Sequence, residues 1–153
     1  MIAGQLFQLG VVVGDLEAAM RHWGTVTGGS EFMRIDTDYA ALFRGQEVHV
    51  ANRNAFVPWG DVMVELVEPV RQEGIAWDWL QTRGEGMFHL GYATDDMDQR
   101  FPGKGVAFEV LTGEPPHIVF LDTADEIGYY LELIPTASAT SLFDRVRAAE
   151  VRA

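Results

Sequence analysis

Residues 86–98, GMFHLGYATDDMD, form a short apolar segment that contains one histidine and runs into an acidic turn. The chain carries nearly the same pattern earlier, because FQLG at 7–10 matches FHLG at 88–91. The acidic residues that follow the two segments also match, at the same offset. Further along each copy, VMVELVEP at 62–69 resembles YYLELIP at 129–135. Because these matching segments occur in the same order, they predict that one structural unit occurs twice in the chain.

Each copy is typical of a module made of one strand, one helix and about three further strands. Runs rich in β-branched and aromatic residues predict the strands, at residues 7–13, 32–35, 39–43, 47–52, 61–68, 88–93, 106–110, 118–121 and 129–134. We expect a single α+β domain over residues 1–153, with an internal repeat at 5–70 and 86–135 and a helical tail at 138–153.

Helix signals separate the first strand of each copy from the rest. Asp15 is a suitable N-cap, and Gly28-Gly29 ends the helix that it begins. The matching acidic cluster in the second copy, which includes Asp96, predicts a helix that is short because Pro102-Gly103 interrupts it. The linker at 74–86 connects the copies and is expected to hold a helical turn around its tryptophans.

Composition narrows the class of protein. The formal net charge is −12 and cysteine is absent. A protein with this negative charge repels nucleic-acid backbones and anionic lipid. The lack of cysteine excludes disulfides and thiolate chemistry. The first residues lack a basic segment followed by a long apolar one, so a cytoplasmic location is expected. A small-molecule substrate is the expected partner, with neither nucleic acid nor membrane.

Four polar residues stand in otherwise apolar strands, at matching places in the two copies. Gln8 and His89 lie in the first strands, and Glu65 and Glu132 lie in the last ones. A carboxylate on an apolar face is costly to bury unless a cation or hydrogen bonds satisfy it. An amide, an imidazole and two carboxylates that converge would supply ligands for a divalent metal. Each residue taken alone is more typical of a solvated sheet face, and Gln8 is the weakest ligand of the set.

Glycines accompany the first pair. Gln8 is followed on its own strand face by Gly10, and His89 is followed by Gly91. Since side chains alternate along a strand, each glycine is expected to clear space above the polar residue of its own copy.

These residues resemble the vicinal oxygen chelate superfamily, which includes glyoxalase I, methylmalonyl-CoA epimerase, extradiol dioxygenases and bleomycin-resistance proteins. The resemblance extends from FQLGVVVGDLE to DEIGYYLELIP and is strongest to the epimerase-like branch. It implies two tandem βαβββ modules that form an open, half-barrel mixed sheet around a cavity. It also implies that Gln8, Glu65, His89 and Glu132 hold a divalent ion such as Zn, Ni, Co, Mn or Fe.

The chemistry implied by this resemblance is metal-assisted proton transfer beside a carbonyl, of the epimerase, isomerase or lyase type. Glu132 is the first candidate for the base, Glu65 the second and Glu47 a third. Much of the family has histidine where this chain has Gln8. A metal-free protein that sequesters a small molecule, of the bleomycin-resistance type, is therefore the alternative. A set with one histidine disfavours the iron site of the dioxygenases.

Other polar and aromatic residues have simpler interpretations. His49 and His117 fall in middle strands and either line the cavity or face solvent. Three tryptophans flank loops, namely Trp59, Trp77 and Trp79. They are expected to line an apolar pocket or to form a contact in a homodimer. The acidic cluster at 95–98 is interpreted as a helix cap and not as a calcium site.

Overall fold

Eight strands and four helices make up the computed structural model, which describes residues 1–111 and 117–151. The elements are β1 (Gln5–Val12), α1 (Leu16–Thr27), β2 (Met33–Phe43), β3 (Gln46–Trp59), β4 (Val62–Pro69), α2 (Ile75–Arg83), β5 (Gly86–Thr94), β6 (Val106–Val110), β7 (Val119–Leu121), α3 (Ala124–Ile127), β8 (Tyr130–Pro135) and α4 (Thr136–Val151). Residues 152–153 of the expected helical tail lie outside the described residues.

The strands form one mixed sheet in the order β1-β4-β3-β2-β6-β7-β8-β5, in which β5 returns to β1 and closes a ring. The two modules meet along two seams, β1 with β5 and β2 with β6. The second seam is short, because only residues 41–43 of β2 pair with β6. The sheet is therefore a barrel at one end, while no strand of the described residues pairs with residues 33–40 of β2 on that side, as in the expected half-barrel.

The first module has the predicted order of one strand, one helix and three strands. Asp15 caps α1 by accepting a hydrogen bond from the Ala18 N–H at 2.9 Å, and the helix ends at Gly28 in the left-handed conformation, with φ 77. Leu16 anchors the helix on the outer face of the sheet, where it joins the cluster around Leu66 and Ala55.

The second module differs from the prediction, because no helix separates β5 from β6. The carboxylate of Asp96 accepts from the Asp98 N–H at 3.2 Å, and the Lys104 N–H donates to the carbonyl of Phe101 at 3.0 Å. Turns of this kind, together with Pro102, occupy the residues between β5 and β6 and leave no uninterrupted run for a helix. A short helix, α3, lies instead between β7 and β8.

Three predicted strands are parts of two longer ones. The segments at 32–35 and 39–43 belong to β2, and the segment at 47–52 is the first half of β3. Residues 36–38, Asp-Thr-Asp, look like a turn in the sequence, yet they alternate between exposed and half-buried positions along β2. A strand with one solvated face tolerates such polar residues.

Helices cover both ends of the barrel interior. At one end, Trp79 of α2 packs against Phe88 and Tyr130, with ring centroids 6.1 Å and 5.6 Å apart. At the other end, α4 packs Ala139 and Val146 into a cluster with residues of β1, β3 and β8. A cavity remains between them. Among the described residues, no helix is long and apolar enough to cross a membrane.

Candidate active site

The seam between β1 and β5 places the two modules' polar residues side by side. In this antiparallel pair Gln8 is opposite Gly91, and Gly10 is opposite His89. The arrangement is reciprocal, because the polar residue of each module faces the glycine of the other.

The last strand of each module flanks this seam and adds a carboxylate. The parallel neighbour of Gly10 is Glu65 on β4, and the parallel neighbour of Gly91 is Glu132 on β8. All four polar side chains therefore reach the inner face of the barrel at its middle.

The two glycines make room for these side chains. A Cβ atom at Gly10 would lie 2.0 Å from Cε1 of His89, and one at Gly91 would lie 2.9 Å from both the Cβ of Gln8 and Oε2 of Glu132. The expectation that each glycine clears space for its own module is thus wrong for this pair. Each glycine accommodates the polar residue of the opposite module, since the strands are antiparallel.

An irregularity in each strand also shapes the seam. The register shifts at Phe7 in β1 and at Phe88 in β5, so each strand has one extra residue there. Extra residues of this kind re-aim neighbouring side chains. Phe88 consequently lines the cavity together with His89, with the ring centroids 4.6 Å apart, although simple alternation places the two on opposite faces.

The four polar side chains are in mutual contact. Gln8 Nε2 donates a hydrogen bond to Oε2 of Glu65. His89 Nε2 lies 3.3 Å from Oε2 of Glu65 and 3.3 Å from Oε2 of Glu132. Gln8, His89 and Glu132 are at most 5% exposed.

Burial leaves part of this cluster without hydrogen bonds. Neither ring nitrogen of His89 has a hydrogen-bond partner among the described residues, and neither does Oε2 of Glu132, because the ring is not aligned for a hydrogen bond despite the short distances. A buried imidazole and a buried carboxylate in this state need a neighbouring charge of opposite sign. Either a proton on His89 or a bound cation supplies that charge.

When no cation is bound, the charges around His89 favour the protonated imidazole. Burial lowers the pKa of His89, but the negative charges of Glu132 and Glu65 outweigh burial and raise the pKa to about 9. Burial raises the pKa of Glu65, and so does the charge of Glu132, whereas His89 lowers it; the net direction is upward. The cluster thus holds an imidazolium between two glutamates at neutral pH.

The donor types also fit a divalent cation, because one imidazole nitrogen and carboxylate and amide oxygens are ligands for Zn²⁺ and its neighbours. Two of the buried atoms without hydrogen bonds, Nε2 of His89 and Oε2 of Glu132, lie 3.3 Å apart. As the side chains stand, no group of three or more His, Cys, Asp or Glu residues in the described part of the chain is arranged as a metal site. The amide of Gln8 turns its N–H toward Glu65, so an ion would require its oxygen to turn inward instead.

The cluster opens into a cavity of about 730 Å³. This volume falls within the range of small-molecule sites. Aromatic rings form much of its wall, namely Tyr39, Phe56, Phe88, Phe108 and Phe120, and Arg145 of α4 also lines it. Burial raises the pKa of the Tyr39 hydroxyl, and the charges of Glu65 and Glu132 raise it further, so this phenol stays protonated.

Several candidates from the sequence lie elsewhere. Glu47 is exposed and does not line the cavity, so it is not a candidate base. His49 and His117 are also exposed, and they pair with Asp38 and Glu109 respectively.

The tryptophans divide between core and surface. Trp79 is buried under the cavity, and Trp77 is half-buried. Trp59 is 41% exposed and packs edge-on against Trp23, with ring centroids 6.2 Å apart.

The cavity residues that the sequence did not single out include Tyr39, Asn54 and Arg145. Asn54 is a polar residue on the inner face of β3 and is 3% exposed. The same alternation that singled out Glu65 would have found it, had the predicted strand at 47–52 been extended.

A family model supports the resemblance seen in the sequence. The model of the glyoxalase/bleomycin resistance protein/dioxygenase superfamily matches residues 7–109, which is more than half of the 153-residue chain. No curated protein sequence resembles the chain closely enough to count as a match.

Solved structures share the fold. A methylmalonyl-CoA epimerase in complex with methylmalonyl-CoA and NH4+ is 25% identical, with a TM-score of 0.59, and the alignment covers 89% of this chain and 96% of that one. The epimerase of Mycobacterium tuberculosis is 20% identical, with a TM-score of 0.61 and coverage of 93% and 97%. A Streptomyces coelicolor epimerase variant in complex with 2-nitronate-propionyl-CoA is 25% identical, with a TM-score of 0.56 and coverage of 88% and 98%.

Substitution of Gly10 by alanine is expected to displace His89, because the new Cβ would overlap the imidazole ring. Overpacking of this kind typically costs about 1–3 kcal/mol. Urea denaturation measures the loss of stability, and NMR titration of the imidazole reports a changed pKa of His89. Gly105→Ala is the matched control, because nothing lies within 4 Å of a Cβ there, and it should change stability by less than about 0.5 kcal/mol. Equal effects of the two substitutions would contradict the described packing.

The metal-free protein is expected to lose stability as the pH rises through about 9. The pKa of His89 is raised above its ordinary value of 6.5, so its stabilising contribution is complete below pH 6.5 and is lost as the pH passes about 9. The raised pKa of Glu65 acts in the same direction at lower pH. Denaturation curves across this range measure the effect.

His89→Gln should flatten the alkaline part of this profile, because glutamine cannot carry the charge. His49→Gln changes an exposed histidine and should leave the profile unchanged. A His89 variant whose stability runs parallel to that of the native chain at every pH would show that the imidazole carries no stabilising charge.

Proposed function

The chain belongs to the glyoxalase/bleomycin resistance protein/dioxygenase superfamily, and we propose that it is a metal-dependent enzyme that transfers a proton beside a carbonyl group. The reaction is of the epimerase, isomerase or lyase type, and the substrate is a small molecule. One observation carries this proposal. Gln8, Glu65, His89 and Glu132 lie together at the wall of a cavity, and the buried ring of His89 and Oε2 of Glu132 have no hydrogen-bond partner among the described residues.

Gln8, Glu65, His89 and Glu132 are the residues that would hold the ion. A divalent cation bound there would act as a Lewis acid that stabilises negative charge on a carbonyl oxygen of the substrate. The two glutamates offset the charge of the ion, and the neutral amide and imidazole complete the set.

Glu132 is the proposed base. It is 5% exposed, it lines the cavity, and its Oε2 has no hydrogen bond among the described residues, so it is available to accept a proton from carbon. Glu65 lies across His89 from it and is engaged by the amide of Gln8, which makes it the second candidate. The base returns the proton to the same carbon or to a neighbouring one.

The similar solved structures support the epimerase-like form of this proposal. Two of them are 25% identical to this chain and are complexes with methylmalonyl-CoA and with 2-nitronate-propionyl-CoA. We extend from them only the reaction class, with proton abstraction next to a carbonyl. We also propose a cytoplasmic homodimer, in which the exposed ring of Trp59 is a suitable contact.

A second function has an observation in its favour. The imidazolium of His89 already balances the nearby carboxylates, and the amide of Gln8 turns its N–H and not its oxygen toward the cluster. A protein that sequesters a small molecule in the cavity without a metal would keep this arrangement. Metal content and catalysis separate the two functions.

We expect the purified chain to retain a divalent ion from Zn²⁺, Ni²⁺, Co²⁺ or Mn²⁺, and to exchange the α-proton of methylmalonyl-CoA or of simple methyl ketones with deuterated water. Glu132→Gln should lower the exchange rate by about 100-fold or more, the usual contribution of a general base. Elemental analysis measures the metal, and NMR measures the exchange.

Glu47→Gln is the matched control, because this glutamate is exposed and lies outside the cavity. It should exchange protons at the native rate. A native chain that binds no divalent cation and exchanges no proton, yet binds small ketones, would replace the enzyme proposal with the sequestering function.

A further inference from the structure

Asn54 is a buried polar residue that lines the cavity away from the clustered side chains. On the inner face of β3 it is opposite Val67 of β4, whereas Phe56, two residues along, is opposite Glu65. A two-residue step along a strand covers about 7 Å. Asn54 therefore lies roughly one such step from Glu65 along the cavity wall.

The orientation of the Asn54 amide is fixed by β2. Its Nδ2 donates to the carbonyl of Ile35 at 3.0 Å and to Oγ1 of Thr37 at 3.2 Å. A backbone carbonyl can only accept, so the nitrogen and not the oxygen must face Ile35. The hydroxyl of Thr37 donates in turn to the carbonyl of Asn52 at 3.5 Å, which leaves its oxygen free to accept from Asn54.

The oxygen of the same amide points the other way. No hydrogen bond between described residues uses Oδ1 of Asn54. It is also not among the buried atoms that lack a partner, which belong to His89 and Glu132. Since the amide is held at its nitrogen, Oδ1 is open to the cavity as a hydrogen-bond acceptor.

We propose that Asn54 is a specificity-determining residue, which selects ligands that carry an O–H or N–H donor about 7 Å from the group held by Glu65 and its neighbours. A ligand with a methyl or an ether group at that place would cover Oδ1 without satisfying it. Sites built to bind a donor reject analogues that lack one for this reason. The inference rests on the proposed function only in taking the cavity as the ligand site.

The surroundings define the ligand further. Phe56, Phe108 and Phe120 line the same cavity, and Glu65 and Glu132 make its interior acidic. An aromatic or alkyl body that bears a neutral hydroxyl suits this wall better than a second anionic group does. The ligand class is therefore a hydroxylated carbonyl compound, with the carbonyl at the cluster and the hydroxyl at Asn54.

Three methyl ketones test the inference, para-hydroxyacetophenone, para-methoxyacetophenone and para-methylacetophenone. They share the carbonyl and the ring and differ only at the group that would meet Asn54. NMR titration of the native chain should show that the hydroxy compound binds about tenfold tighter than either of the others.

Two substitutions then remove the amide oxygen of Asn54. Asn54→Leu has a similar size and no polar atoms, while Asn54→Ser keeps a donor toward β2 and so guards against loss of the fold. In both variants the preference should fall to about twofold or less, with little change for the methyl compound. Gln46→Leu is the control, because this amide also belongs to β3 but is exposed and does not line the cavity. It should keep the preference.

Equal binding of the three ketones by the native chain overturns the inference, as does a preference that persists in both Asn54 variants, or no binding of any ketone. The proposed function is judged separately, by metal content and proton exchange. A metal-loaded chain that exchanges protons but binds the three ketones alike retains its function and has no donor site at Asn54. A chain that holds no metal and exchanges no proton, but prefers the hydroxy compound, has the donor site at Asn54 and lacks the proposed enzymatic function.

Discussion

The buried contact of His89 with Glu65 and Glu132 is the interaction on which the centre of this structure depends. Each pair is 3.3 Å apart, and His89 is only 1% exposed. Two carboxylates cannot remain charged side by side in such a place without a compensating positive charge. The imidazole supplies it when protonated, and a divalent cation would supply it otherwise. The stability of the metal-free chain and its affinity for a metal are thereby linked.

The reciprocal seam explains how a chain with modules in tandem builds one such site. Neither module has more than half of the donors, and the glycine of each accommodates the polar residue of the other, Gly10 beneath His89 and Gly91 beside Gln8. The site therefore exists only when β1 and β5 are paired. Helices α2 and α4 then cover the two ends, so that the cluster faces a cavity with aromatic walls.

The sequence predicts the strands and the four clustered residues because both leave a local pattern, apolar alternation with one polar interruption. The sequence does not predict those side-chain positions that depend on contacts between segments far apart in the chain. The extra residue at Phe88 turns a side chain inward against simple alternation, and only the pairing with β1 reveals it. Asn54 and Arg145 reach the cavity through the length of β3 and the packing of α4. The helix predicted after Asp96 does not form, because turns around Pro102 occupy the residues between β5 and β6. The metal-binding roles of the cluster stay predictions.

X-ray absorption spectroscopy of the cobalt-loaded protein counts the imidazole groups bound to the ion. We expect one imidazole nitrogen, from His89, with oxygen atoms as the other ligands. Spectra of His89→Gln should lose that imidazole contribution together with the bound metal. A native spectrum with no imidazole, or with two or more, would show that the ion is held elsewhere, because only one histidine lies in the cluster.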